Sequence, residues 1–595
     1  MPPRKQTPKA AATTTKQPPA PGSKEAAEDE LRRLTQQARG ATPGAHLLEQ
    51  IGIYARAVAL LTLLAVSSNV SLLALSPVYG SIPAAAWHGA VVSAALFGGW
   101  SANLVLRRAL QPRGLGTAAL LALAAAWAPA AQHHLSGLSG TLGATYGPAV
   151  TEVLTLGPLL ALGTACAADA LEGADLSALR TAAPGFISEA APGIGAYFVF
   201  RLVELESGKH IATTAGRSLA QTRIGFQTIL SVLYTVLAGP SKLLFWVVPA
   251  LLHTAFVNPH LPTPWATATL NATLGAENWS LIDRRESLTG YMSVLDNHNE
   301  GYRVMRCDHS LLGGEWTKFK KIIVGEPIYS VFAQLEAVRL VEAPGRVPDN
   351  EAKALNIGLG IGTTPSALIA HGIDTTIVEI DPVVYDYAEK YFGLPSDHTA
   401  VIADAVQWSQ DNMVERAATF DYIIHDVFTG GAEPIDLFTE EFLLSLNAML
   451  KPSGVIAINY AGDFTLPPLS IVVNTVKSVF PSCRIFREGP QPDDDEIEEN
   501  GRDFDNVIMF CVKLPDHEIT FRAAKESDYL QSLARKAYLQ PKYEVPESAL
   551  LRAGADLSIL RRNDTEKLAK WHTRSACGHW AVMRSVLPAH IWESW

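Results

Sequence analysis

The first half of the chain is written in long uncharged runs. Residues 57–75 read AVALLTLLAVSSNVSLLAL, enough to cross a hydrocarbon core of about 30 Å as a helix. Comparable runs at 85–106, 114–132 and 149–168 predict three more spans. A fifth at 185–203 carries Glu189, Pro192 and Arg201, and 224–256 is apolar but interrupted by Gly239-Pro240 and Lys242, which reads as one kinked span or two half-helices. Six spans are expected.

After residue 279 the pattern changes. SLTGYMSVLDN and GYRVMRC alternate apolar and polar positions between Asn/Gly turns, predicting a small antiparallel β unit over 279–345, with a helix at about 329–341. Beyond 354, apolar strands and amphipathic helices alternate, the pattern of a parallel sheet covered on both faces. The expected fold is therefore an N-terminal α-helical transmembrane bundle (45–260), the β unit, and a C-terminal α/β Rossmann-like domain (346–513). Residues 1–44 are rich in Pro, Ala, Thr and Lys with no apolar period, so they read as a disordered tail without a secretory signal. Residues 514–595 read as a separate extension with no assignable motif.

Composition sharpens this division. A chain of 595 residues is too long for one core. The net charge of −11 comes from the second half, and no basic face is available for a phosphate backbone, so nucleic acid is not an expected partner. The five cysteines are odd in number and never form CxxC, which points to a reducing compartment. Arg32, Arg33, Arg39 and Arg56 precede the first span and Arg107, Arg108 and Arg113 follow the second, placing the N-terminus in the cytosol. Six spans would return the C-terminal domain there. The sequons Asn271-Ala-Thr and Asn278-Trp-Ser would suit five.

Candidate chemistry gathers at predicted strand ends. ALNIGLGIGT ends a strand in Gly358, Gly360 and Gly362, where the backbone can turn and a ligand can approach without meeting a Cβ. Glu379, ending TTIVEID, can accept hydrogen bonds from both hydroxyls of a ribose. Asp404, beside Ala405 at the end of the next strand, is placed for an adenine amino group, and FDYIIHD brings Asp426 to the same carboxyl edge. Nicotinamide cofactors fit less well, because the third glycine of their fingerprint would fall on Thr363.

In the order GLGIG, VEID, ADA, FDYIIHD and LKPSGVIAIN, residues 285–512 resemble the polyamine aminopropyltransferase (spermidine-synthase) family. The resemblance implies decarboxylated S-adenosylmethionine or S-adenosylmethionine as co-substrate, no metal, and aminopropyl transfer to a small amine. It makes Glu379 the ribose acid, Asp404 the adenine contact, Asp426 the first acid of the catalytic loop and Tyr329 the tyrosine of the family's Tyr-Gln-Glu helix, and it admits a dimer. Several family acids are missing, however. Thr429 replaces the second loop acid, Ile361 the acid of the glycine loop, and Ser330 and Val331 the Gln and Glu after the tyrosine. An acidic insert, residues 493–499, replaces the late Tyr-Pro gate.

These departures favour a second resemblance, to spermidine-synthase-like methyltransferases of a translation elongation factor, which share Asp308-His309-Ser310 and VEIDP at 378–382. That family implies methyl transfer from intact S-adenosylmethionine to a protein acceptor. Three readings follow: a membrane-anchored aminopropyltransferase as the leading one, a methyltransferase as its alternative, and a non-catalytic, nucleoside-sensing membrane scaffold. His572, Cys577 and His579 lack a fourth ligand at a familiar spacing and read as packing residues. His133-His134 read as interfacial, and Glu152 and Asp169 as span-edge charges.

Overall fold

The computed structural model describes residues 43–175, 185–428, 431, 433–551 and 554–595. The predicted tail, apart from residues 43 and 44, and Thr429 lie outside the described residues.

Long apolar runs form the bundle helices, some of them across an internal proline such as Pro129 or Pro192. Four are long and apolar enough to cross a membrane: His46–Tyr79, Ser81–Arg113, Ser139–Leu171 and Gly185–Thr214. Thr117–Ser136 is a further apolar helix, and 224–256 is two helices, Arg223–Ala238 and Val247–Phe256, separated at Gly239-Pro240 because proline cannot continue the hydrogen-bond ladder. Among the described residues, seven helical segments thus alternate between two ends of the bundle. One end, with Tyr79, Ser139 and Arg223, meets the C-terminal domain; the other carries Arg107 and Glu172, paired at 2.8 Å.

The bundle is polar inside and apolar outside. Phe97, Phe198, Val236 and Phe245 are exposed, whereas Ser68, His88, Glu152 and Glu204 are buried. Ser68 Oγ donates to Glu204 at 2.6 Å, and the His88 ring sits 2.8 Å from both Ser68 and Glu152. These four side chains therefore find partners that lipid could not offer. Glu152, expected at a span edge, lies in this network.

The C-terminal half opens with a four-stranded antiparallel sheet in sequential order: β1 Trp279–Glu286, β2 Tyr291–Asn297, β3 Tyr302–Cys307 and β4 Ser310–Trp316. The strands that follow, β5 Lys353–Ile357, β6 Asp374–Glu379, β7 Thr399–Ile402, β8 Phe420–Asp426, β9 Leu450–Asp463, β10 Ser482–Arg487, β11 Phe504–Val512 and β12 Tyr543–Glu544, form an eight-stranded sheet in the order β12-β10-β11-β9-β8-β5-β6-β7. The five strands β5 to β9 are parallel. Leu355, Ile357, Ile423 and Ile424 are wholly buried between helices on its two faces. The Rossmann-like expectation is met. β11, Phe504–Val512, runs antiparallel between β9 and β10, Ser482–Arg487.

Two expectations need correction. Cys483 on β10 and Cys511 on β11 face each other across that antiparallel pair and form a disulfide, contrary to the reducing compartment inferred from cysteine spacing. Residues 514–595 are not a separate extension. β12, Tyr543–Glu544, pairs with β10, Arg535 bonds Glu336 at 2.7 Å, and Trp592 and Trp595 are buried. The long helix Glu566–Val586 donates from Trp580 Nε1 to the Val78 carbonyl at 3.0 Å. Further ties cross this junction. Arg223 reaches Glu286 at 3.0 Å and Asp308 at 3.2 Å, and Arg306 donates to the carbonyls of Pro77 and Ile591.

Candidate functional site

The carboxyl ends of β5, β6, β7 and β8 open into a cavity of about 470 Å³, within the range of small-molecule sites. Gly358, Gly360, Glu379, Asp404, Ala405, Asp426 and Tyr329 all line it. Gly362 does not: it has φ 82° and precedes the helix Thr363–Ala370. The structure thus brings seven of the eight expected residues to one cavity and leaves Gly362 outside its lining.

The glycine loop serves packing as much as ligand. Gly358 has φ 82°, and a Cβ there would meet the Asp426 carbonyl at 2.1 Å; at Gly360, φ 55°, it would meet the Leu312 carbonyl at 2.4 Å. These positions let the loop nest between β8 and the small sheet. Glu379 accepts from the backbone N–H groups of Leu359 and Asp381, both at 2.9 Å, and burial pushes its carboxyl up to about 7. Asp404 caps the next helix through Oδ1, from Val406 N at 2.8 Å, while lining the cavity. Asp381 docks the β unit, accepting from Ser287 at 2.6 Å and from Thr289.

Asp426 ends β8 beside Asn459 on β9, whose Nδ2 donates to Oδ1 at 2.9 Å. Burial pushes its carboxyl up to about 6, and the nearby Glu488 adds to the rise. Glu488 is itself committed, accepting from Ser330 Oγ at 2.7 Å, Val331 N at 2.9 Å and Asn506 Nδ2 at 2.6 Å. The Tyr329 hydroxyl is buried without a hydrogen-bond partner, and burial raises its pKa strongly. Val331, which stands where the family has an acid, is buried among apolar side chains, and the carboxylate beside it is that of Glu488. Ile361 likewise packs into an apolar cluster with Leu359 and Val384.

Sequence reasoning missed Asn459, Glu488, Asp505 and Asn506, which reach the cavity from β9, β10 and β11. The only signal for Asn459 was its place in a strand next to β8. His579, read as a packing residue, lines the cavity, whereas His572 bonds the Glu433 carbonyl and Cys577 lies beside Thr145. Among the described residues no group of three or more His, Cys, Asp or Glu side chains could hold a metal ion.

Residues 335–486 match the spermine/spermidine synthase domain family. An N-terminal histidine N-methyltransferase from Emericella nidulans is 43% identical over 551 residues, covering 90% of this chain and 96% of its own. The chain belongs to the family of that methyltransferase. An eEF1A lysine and N-terminal methyltransferase from Xenopus laevis is 28% identical over 34% of this chain and 29% of its own length. A probable spermidine synthase from Corynebacterium glutamicum superposes on 47% of this chain and 95% of its own, at 15% identity and a TM-score of 0.36.

Family membership makes the chain a transferase and corrects the leading expectation. Aminopropyl transfer to an amine is overturned by the full-length match to a methyltransferase, and the absent acids at Ile361 and Val331 agree with that outcome. The methyltransferase alternative takes its place.

Proposed function

We propose that the protein is a membrane-embedded methyltransferase that acts on the N-terminal histidine of a protein acceptor. The observation that carries this reading is the 43% identity with an N-terminal histidine N-methyltransferase along nearly the whole of both chains. The co-substrate is S-adenosylmethionine, which supplies an electrophilic methyl group on a sulfonium. The cavity suits such a ligand: Gly358 and Gly360, at positive φ, let the loop at its edge turn tightly against β8 and the small sheet, and Glu379 offers a carboxylate to ribose hydroxyls. Asp426, with one oxygen held by Asn459, takes the proton from the acceptor nitrogen so that its lone pair attacks the methyl carbon. The rest is alignment of acceptor nitrogen, methyl carbon and sulfur. The test is mass spectrometry of a histidine-initiated peptide after incubation with the full-length protein and S-adenosylmethionine. Gain of one methyl mass per transfer supports the reading, and an unmodified peptide overturns it.

The bundle is read as lipid-embedded because its exterior is apolar and its polar groups pair inside. We read the seven segments as crossings, an odd number, with the α/β domain on the side opposite the N-terminus. Arg107, Arg108 and Arg113 lie at the end away from that domain, the end expected to face the cytosol. The Cys483–Cys511 disulfide and the exposed sequon residue Asn278 fit the opposite, oxidising side.

A further inference from the structure

One guanidinium from the bundle holds two turns of the small sheet. Arg223 opens the helix Arg223–Ala238 and is buried. Its Nε donates to the Leu73 carbonyl at 2.6 Å, Nη1 to Glu286 at 3.0 Å and Nη2 to Asp308 at 3.2 Å, and its backbone N–H adds a bond to Glu286 at 2.8 Å. Glu286 ends β1 at the turn into β2, and Asp308 forms the turn between β3 and β4 at φ 45°. The Asp308 carboxylate also accepts from Tyr291 N at 2.8 Å and lies over Gly290, where a Cβ would meet it at 2.8 Å. The same buried charges therefore clamp the two turns to each other and to the bundle.

Each of these carboxylates begins a short path of contacts into the donor end of the cavity. From Glu286 the path runs through Ser287 and Thr289, whose hydroxyls each donate to Asp381 at 2.6 Å, and the Asp381 backbone N–H donates to Glu379 at 2.9 Å. From Asp308 it runs through Ser310, Leu311 and Leu312, which line the cavity. The Leu312 carbonyl is the atom that a Cβ on Gly360 would meet, and a Cβ on the adjoining Gly313 would come within 2.9 Å of Ile361. The ribose acid and the glycine loop, the two features that address an adenosyl nucleoside, thus both rest on turns that Arg223 holds.

We infer that Arg223 is a positioning residue for donor binding: the helical bundle does more than anchor the domain, because through this arginine it sets the spacing between Glu379 and the glycine loop. This rests on the reading of the cavity as an S-adenosylmethionine site. Arg223 does not itself line the cavity, so its effect passes through Asp381 on one path and Leu312 on the other. An arginine suits the task because its planar fork bonds two carboxylates and a carbonyl in fixed directions, whereas a lysine ammonium on a flexible stem is a point charge. Burial tightens the clamp, since a buried carboxylate that loses its partner is strongly disfavoured. Neither turn can drift while the three charges stay together.

The experiment uses full-length protein in nanodiscs and measures calorimetric binding of S-adenosylmethionine and of methylthioadenosine. Arg223→Lys is expected to weaken both by about three- to thirtyfold, the size of coupling carried through packed contacts, because the adenosyl group they share is what Glu379 and the glycine loop address. Thr289→Val removes one bond to Asp381 while leaving Arg223 paired, and should weaken both in the same direction. In the double variant the loss should be smaller than the product of the two single losses, since both residues act along one path. Where Arg223→Lys fails to fold, Asp308→Asn serves in its place, with the same weakening expected. Unchanged nucleoside binding in the folded variant of Arg223 or Asp308, or single losses that simply multiply, would overturn the positioning role. A wild-type protein that binds neither nucleoside would instead overturn the reading of the cavity on which that role rests.

Discussion

Burial pushes the Asp426 carboxyl up to about 6, and Asn459 holds one of its oxygens at 2.9 Å. A base in this position works only when ionised, so methyl transfer should rise with pH through about 6 and level off above it. Asp426→Asn should lower the rate on the order of 10²- to 10⁴-fold while S-adenosylmethionine binding persists; equal activity in the variant would remove Asp426 as the base. The linkage sign is the same for Asp426 and for Glu379, pushed up to about 7. A carboxyl raised above its unfolded value favours the folded state most at low pH, and that contribution is lost as pH rises through its folded pKa. At this scale the sequence was legible wherever a side chain ends a parallel strand. Asn459, Glu488 and His579 were not legible, because they reach the cavity from an adjacent strand, an antiparallel strand and a distant helix.

Elements were readable to the extent that their periodicity was strong. The five parallel strands and the apolar helices stand out as uninterrupted runs, and Gly239-Pro240 marks a real break. The placement of β11 between β9 and β10 was not readable, because pairing across 28 residues leaves no local pattern. The same blindness hid the cross-strand disulfide, which closes the loop between these strands. Its removal in Cys511→Ser should lower unfolding stability by about 2–4 kcal/mol, seen as a lower Tm for the variant under non-oxidising handling of both proteins. An unchanged Tm would mean that the bridge contributes nothing in solution.

At the scale of the molecule, the bundle and the transferase domain are bound together by buried contacts, among them Arg223 with Glu286 and Asp308, and Arg306 with Pro77. Composition revealed two halves but not that the last 80 or so residues join them, since that junction depends on single long side chains with no sequence period. On the proposed odd number of crossings, Asn278 should be glycosylated in a eukaryotic cell, and N-glycosidase treatment should speed migration of the wild type but not of a variant lacking both sequon asparagines, Asn271→Gln and Asn278→Gln. Equal migration with and without the enzyme would favour a cytosolic domain. The most direct test of the central claim is a comparison of donors. Full-length protein and a histidine-initiated peptide are incubated with S-adenosylmethionine or with its decarboxylated form, and the peptide is weighed by mass spectrometry. Methyl addition from the intact donor, without aminopropyl addition from the decarboxylated one, is the predicted result, and aminopropyl addition or no addition from either would contradict it.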